Sequence, residues 1–202
     1  MRSGVIIAGG RSTRFGDRDK AVADLAGVPM IRRVANRLVD VVDDLVVNCR
    51  EDQIEAIQAA LDDYPLEPDF AIDPEPDLGP MAGIRNGLGG VTTEYAFVVA
   101  CDMPFVSPDL AAYLFDRVEG HDAAVPLTDD GWYQTTQAVY RARAMADACD
   151  RALEEGDSRI IDAILQLDYV EVTEDDFTEF ASLRTFENIN TAEELDAAAS
   201  SF

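Results

Sequence analysis

Residues Tyr95-Ala96-Phe97-Val98-Val99-Ala100-Cys101 form an uninterrupted apolar run that ends at Asp102. A strand with one wet face alternates apolar and polar side chains. An unbroken run must instead be covered on both faces, as a central strand is when helices flank a parallel sheet. The rest of the chain supplies the neighbours and the covers. Ser3 to Ala8, Leu45 to Asn48, Phe70 to Ile72, Ala123 to Pro126, Gln134 to Tyr140 and Tyr169 to Val172 read as further strands. Between them, Ile31, Val34, Ala35 and Leu38 follow helical spacing behind a Pro29 expected at the first helical position. Ile54, Ile57 and Leu61, then Ile84 and Leu88, then Leu110, Leu114 and Val118 give three more amphipathic faces. Helices are also expected over about 141–155 and 160–167, and Thr191 with Glu194 three residues on is a capping box that opens the last helix. Strands alternating with helices imply an α/β fold of three layers, α/β/α and Rossmann-like, on a mostly parallel central sheet.

In such sheets ligands collect beyond the C-terminal strand ends. Four successive predicted strands end there in polar residues: the loop from Gly9-Gly10 onwards, Asn48, Asp73 and Asp102. The loop carries the chain's one lysine, Lys20, with Arg11, Arg14 and Arg18. Residues 11–20 thus hold four of sixteen basic residues against two acids, while the other 192 carry twelve bases and thirty-eight acids. A glycine pair lets backbone N–H groups approach an anion, and the local reversal of sign points to a strongly anionic ligand. The loop lacks the spacing of G-x-G-x-x-G, and Gly16 is followed by Asp17, so dinucleotide-fingerprint and P-loop readings lose support. Asp102 suits a hard oxygen ligand for Mg²⁺, which takes one or two carboxylates and substrate phosphates; a cap before Pro104 is the plainer alternative. Asp73, in Asp-Pro-Glu-Pro-Asp, is either a site acid or a solvated turn. His121 lies in a helix-to-strand connection and reads as a surface residue, so triad chemistry and histidine-rich metal sites gain no support.

Composition bounds the remaining possibilities. At 202 residues and 48% hydrophobic content the chain is long enough for one substantial core, and a single domain over 1–202 is expected. No apolar run approaches the roughly 20 residues that span a bilayer, and the chain starts with neither a basic leader nor a long apolar segment, so a soluble, cytoplasmic protein is expected. Cys49, Cys101 and Cys149 are spaced for neither a disulfide framework nor a zinc site and read as small buried hydrophobes. The net charge of -24, with arginine preferred to lysine, fits adaptation to the salt-rich cytoplasm of a halophile. Outside the first loop there is no basic stripe or aromatic platform for nucleic acid.

Four separated motifs together resemble one family. Ile7-Ala8-Gly9-Gly10-Arg11-Ser12-Thr13-Arg14-Phe15-Gly16 with Asp19-Lys20, Leu78-Gly79-Pro80-Met81-Ala82-Gly83-Ile84, Ala100-Cys101-Asp102-Met103-Pro104-Phe105 and Asn188-Ile189-Asn190-Thr191 are similar to those of the molybdenum cofactor guanylyltransferases. The first motif marks the wider nucleotidyltransferase superfamily, and the second and third narrow it to the molybdopterin branch. The resemblance implies a nucleotidyltransferase fold and transfer of GMP from GTP to molybdenum-bound molybdopterin with release of pyrophosphate. It implies that Ile7, Ala8, Gly9, Gly10, Arg14, Lys20, Asn48, Asp73 and Asp102 bind nucleotide, that Lys20 and Asp102 are catalytic, and that Asp102 holds Mg²⁺. About 1–105 would be the nucleotide-binding part and about 106–202 the acceptor part, with Asn188 and Asn190 near the pterin. Transient contact with molybdenum cofactor biosynthesis or acceptor proteins is also implied. One departure concerns the acceptor: relatives often have a proline after the Gln or His near Gln134, whereas this chain reads Gln134-Thr135-Thr136-Gln137.

Two kinds of rival stay open. The same chemistry with another base or acceptor gives a molybdopterin cytidylyltransferase, a cobinamide-phosphate guanylyltransferase or a sugar-phosphate nucleotidyltransferase. The same fold without chemistry gives a GTP-binding or cofactor-carrier protein.

Overall fold

The computed structural model describes residues 1–10, 19–74 and 78–202. In chain order its elements are β1 (Ser3–Ile7), β2 (Asp24–Leu25), β3 (Val28–Pro29), α1 (Met30–Leu38), β4 (Asp44–Cys49), α2 (Ile54–Ala60), β5 (Asp69–Ile72), α3 (Gly79–Gly89), β6 (Tyr95–Ala100), α4 (Pro108–Arg117), β7 (Ala123–Leu127), β8 (Gln137–Arg141), α5 (Ala142–Glu155), α6 (Ile160–Ile164), β9 (Tyr169–Thr173), α7 (Glu174–Phe177) and α8 (Ala192–Ala199). Seven strands form one sheet in the order β5-β4-β1-β6-β8-β7-β9, which puts the apolar run in the middle. β5, β4, β1 and β6 run parallel, β8 is antiparallel to both β6 and β7, and β9 is parallel to β7. The strand ends of β1, β4, β5, β6 and β7 therefore share one edge.

Alternate residues of the central strands divide between two cores. Ile6, Leu45, Val47, Phe97 and Val99 pack with α1, α2 and α4, while Val5, Val46, Ala96 and Val98 pack with α3, α5 and α6. The three layers are those the continuous apolar run demands. Burial pushes the Cys49 thiol up to about 11 and the Cys149 thiol up to about 12, and it raises that of Cys101 further, so the cysteines serve as packing groups.

Several boundaries depart from expectation. Pro29 precedes the first turn of α1 and pairs with Asp24 in a two-strand hairpin, so it is not the first helical residue. The hairpin turns through Ala26 and Gly27, both at positive φ (51° and 83°), and Asp24 Oδ1 accepts from the Gly27 N–H at 3.0 Å. β8 starts at Gln137, because the Gln134 N–H turns back to Pro126 O and only Gln137 enters the β6 register. α6 ends at Ile164, and the turn α7 was not expected. A third, small core of Ala23, Leu25, Met30, Ile189 and Ala198 holds the C-terminal segment against the hairpin. The stack Arg184, Phe105, Phe202, Arg33 reinforces it. The two rings lie 5.1 Å apart and nearly parallel, and each is capped by a guanidinium at 3.8 or 3.9 Å.

Phe97 is wholly buried at the centre of the sheet. Phe97→Ala should cost about 3–5 kcal/mol, read as a lower denaturant midpoint in molar KCl, whereas a loss below about 1 kcal/mol would contradict a core built on this strand.

Candidate nucleotide and metal site

The sheet edge brings together the predicted nucleotide-site residues that lie within the described segments, and the ladder itself aligns them. Cys101 N–H donates to Ile7 O, Ala8 N–H to Asn48 O and Asp73 N–H to Cys49 O, at 3.0, 2.8 and 2.9 Å. These bonds continue the parallel ladders one step past the strands. The start of the glycine loop, Asn48, Asp73 and the turn after β6 thus sit side by side. Arg14, with Arg11 and Arg18, lies outside the described residues.

Lys20 begins a single 3₁₀ turn, Lys20–Val22, capped by the Asp19 carboxylate on the Ala21 N–H. Its side chain is nearly buried. The ammonium donates to Asp102 Oδ2 at 2.6 Å and to Asn190 Oδ1 at 2.9 Å. Asp102, expected to hold a metal, is thus paired with a cation of the protein. Asp102 Oδ1 is buried and has no hydrogen-bond donor among the described residues. A buried carboxylate oxygen without a partner is costly. That oxygen is the fit for a divalent cation. Among the described residues no group of three His, Cys, Asp or Glu side chains could hold a metal by itself. A hard ion here would hold to one carboxylate and take its other ligands from phosphate and water, as Mg²⁺ does.

On the other side of β1, Asn48 is fully buried and its amide N–H₂ donates to Ala71 O at 3.1 Å and Asp73 Oδ1 at 2.7 Å. Asn86 of α3 donates to the same Asp73 oxygen at 2.9 Å and is itself gripped by Arg85. Asp73 is therefore a held acid, not a freely solvated turn. Gly9 makes a close approach: a Cβ there would collide with Asp73 Oδ2 and displace that held side chain, and one at Gly83 would meet Asn48 Oδ1 at 2.7 Å.

Sequence reasoning missed the residues that hold the loop. Arg50 donates to Gly9 O at 3.0 Å and Gly10 O at 2.8 Å, and Gln53 bridges Ala8 O at 3.0 Å and Asp19 Oδ2 at 2.7 Å. Arg50 directly follows the end of β4, on the same sheet edge as Asp102, which lies two residues past the end of β6, and that placement was the signal available. The two predicted acceptor residues separate. Asn190 reaches Lys20, and its N–H is fixed by Glu194, whereas Asn188 is exposed and bonds only to Phe186 O at 3.4 Å. Asn188 is thus not brought into the cluster.

Residues 4–170 match the family model of the MobA-like NTP transferase domain. The chain belongs to that family. A relative from Natronomonas pharaonis, described as a probable molybdenum cofactor guanylyltransferase, is 54% identical over 98% of this chain and 96% of its own length. A Haloferax mediterranei relative of the same description is 38% identical, covering 98% and 93%. Among solved structures, molybdopterin-guanine dinucleotide biosynthesis protein A from Archaeoglobus fulgidus superposes with a TM-score of 0.78 at 26% identity, covering 98% and 97% of the two chains. No helix among the described residues is long and apolar enough to cross a membrane.

The partly buried Lys20–Asp102 pair should be coupled energetically. A double-mutant cycle with Lys20→Ala and Asp102→Ala, read by denaturant unfolding in molar KCl, is expected to give about 1–3 kcal/mol of interaction. Additivity within about 0.3 kcal/mol would mean the pair is not formed in solution.

Proposed function

We propose that this protein transfers GMP from GTP to the terminal phosphate of molybdenum-bound molybdopterin, forming the guanine dinucleotide cofactor and releasing pyrophosphate. The observation that carries the reading is the ammonium of the chain's one lysine, paired with Asp102 beside the glycine loop on the sheet edge of a MobA-like NTP transferase fold. The choice of guanine and of the molybdopterin acceptor is supported by the descriptions of the relatives.

The acceptor phosphate is already anionic near neutral pH. Its oxygen can attack the α-phosphorus of GTP without a strong base; the new P–O bond forms as the bond to the β-phosphate oxygen breaks, and pyrophosphate leaves with the electron pair. A catalytic histidine is not needed, and none lies among the residues brought together. The protein works by alignment and charge stabilisation. Lys20, positioned by Asp102 and Asn190, neutralises charge on the transferring and leaving phosphates. The N–H groups of Gly9 and Gly10 approach the phosphates, with Arg50 fixing their carbonyls. Asn48 and Asp73 form the nucleoside side of the site, Ile7 and Ala8 its floor, and Arg14 adds positive charge from the loop. Asp102 Oδ1 would hold Mg²⁺, which when bound supplies Lewis-acid stabilisation of phosphate charge. Nucleotide binding occupies the first half of the chain, about 1–105, and acceptor binding the second, within one domain. The reaction takes place in the cytoplasm, and transient contact with molybdenum cofactor biosynthesis or acceptor proteins delivers and collects the product.

Pyrophosphate release in molar KCl with Mg²⁺ and molybdopterin, comparing GTP, CTP and ATP, tests the reading. GTP should be used preferentially. Preference for CTP would make it a cytidylyltransferase, and silence with every nucleotide would remove the transferase reading. Lys20→Ala should lose roughly a hundredfold or more in rate, the scale of removing one positioned charge stabiliser; near-normal turnover by the folded variant would take Lys20 out of the chemistry.

A further inference from the structure

The chain's one tryptophan, Trp132, is 70% exposed, the most exposed large apolar side chain among the described residues apart from Met1. It is not on a slack segment. The loop from Thr128 to Trp132 is a closed turn: Thr128 N–H donates to Trp132 O at 3.2 Å, and Gly131, at φ 84°, donates its N–H to Thr128 O at 2.8 Å. Asp130 Oδ1 accepts from the Thr128 hydroxyl at 2.6 Å and from the Trp132 N–H at 3.3 Å. Its flanks are tied to β9 and α7. Tyr133 bridges to Leu127, meets the edge of Tyr169 at 6.1 Å and bonds through its hydroxyl to Glu171, while the Asp129 N–H donates to Glu174 at 3.0 Å. An aromatic residue whose backbone is already ordered by its turn loses little backbone entropy when something stacks on it.

Topology places this turn beside the site. β7 is parallel to β6 through their shared antiparallel neighbour β8, so the β7–β8 connection leaves the sheet at the edge that carries Asp102. The same connection returns along that turn, with Ala100 N–H donating to Thr136 O at 3.1 Å and the Thr136 hydroxyl to Met103 Sδ at 3.8 Å. Along the edge, the glycine loop, Asn48 and Asp73 take the β1, β4 and β5 side. The β7–β8 turn that carries Trp132 leaves the sheet on the other side, beyond β6.

We propose that Trp132 is a stacking platform for the planar heterocycle of the acceptor, so that acceptor selection lies in the β7–β8 turn. The inference rests on the guanylyl-transfer reading for the acceptor's identity, a fused-ring phosphate monoester.

Because Trp132 is the sole tryptophan, its emission reports this residue alone. Neopterin monophosphate should quench it saturably, after correction for pterin absorbance, while GTP alone should not. In the full reaction, Trp132→Ala should raise the KM for molybdopterin on the order of tenfold with the KM for GTP unchanged, and Trp132→Phe should keep most of the affinity. Equal quenching by GTP, no saturable quenching by the pterin, or an unchanged acceptor KM in Trp132→Ala would each overturn the platform. The two readings fail separately. Quenching needs no turnover, so a wild-type protein that binds the pterin but releases no pyrophosphate keeps the platform and loses the transferase reading. Normal turnover by Trp132→Ala with an unchanged KM loses the platform alone.

Discussion

One ammonium group organises the functional edge of this protein. Lys20 is almost withdrawn from water and is held by a carboxylate from the turn after β6 and an amide from the segment before α8. A lysine so placed carries a desolvation cost that only close partners offset, and the three groups come from positions 20, 102 and 190. The pair therefore depends on the sheet, which sets Asp102 beside the glycine loop, and on the C-terminal segment, which must return across the β2–β3 hairpin. The small core around Leu25, Met30 and Ile189 and the Arg–Phe–Phe–Arg stack hold that return. The backbone joins it directly, since the Ile189 N–H donates to Asp102 O at 2.9 Å. Packing away from the sheet edge thus fixes the position of this charge.

The same pair relates the site to the acidity of the chain. With a net charge of -24, a strongly anionic ligand would be repelled at long range in dilute buffer. At molar salt the Debye length is about 3 Å, so distant acids are screened while a partly buried contact at 2.6 Å is screened much less. In the proposed reading, local positive charge on the loop then governs binding. Surface acidity and a basic site are compatible only because screening acts so differently on the two.

Much of this was legible in the sequence because it rests on periodicity and strand ends. The helical spacing at Ile31, Val34, Ala35 and Leu38 and the unbroken run from Tyr95 follow from which faces must be dry. Asn48, Asp73 and Asp102 follow from where the strands stop. What stayed hidden was set by contacts distant in the chain. Arg50, Gln53 and Asn86 are ordinary polar residues locally, and only the fold aims them at Gly9, Ala8 and Asp73. Asn188 and Asn190 look alike in one short motif. Only the chain's path onto the hairpin sends Asn190 to Lys20 and leaves Asn188 bonded locally to Phe186. Pro29 was misplaced because a tight turn with Ala26 at positive φ gives no glycine-rich signal on its first residue.

A single lysine makes the central ion pair directly observable. Protein grown with lysine labelled at 13Cε and 15Nζ gives one side-chain signal, that of Lys20. In the free protein it should differ from that of a solvated lysine and move towards it in Asp102→Asn, and it should shift again, saturably, when GTP is added in molar KCl. A signal already at the solvated position would contradict the pair, and one that GTP leaves unmoved would contradict its place at the nucleotide site.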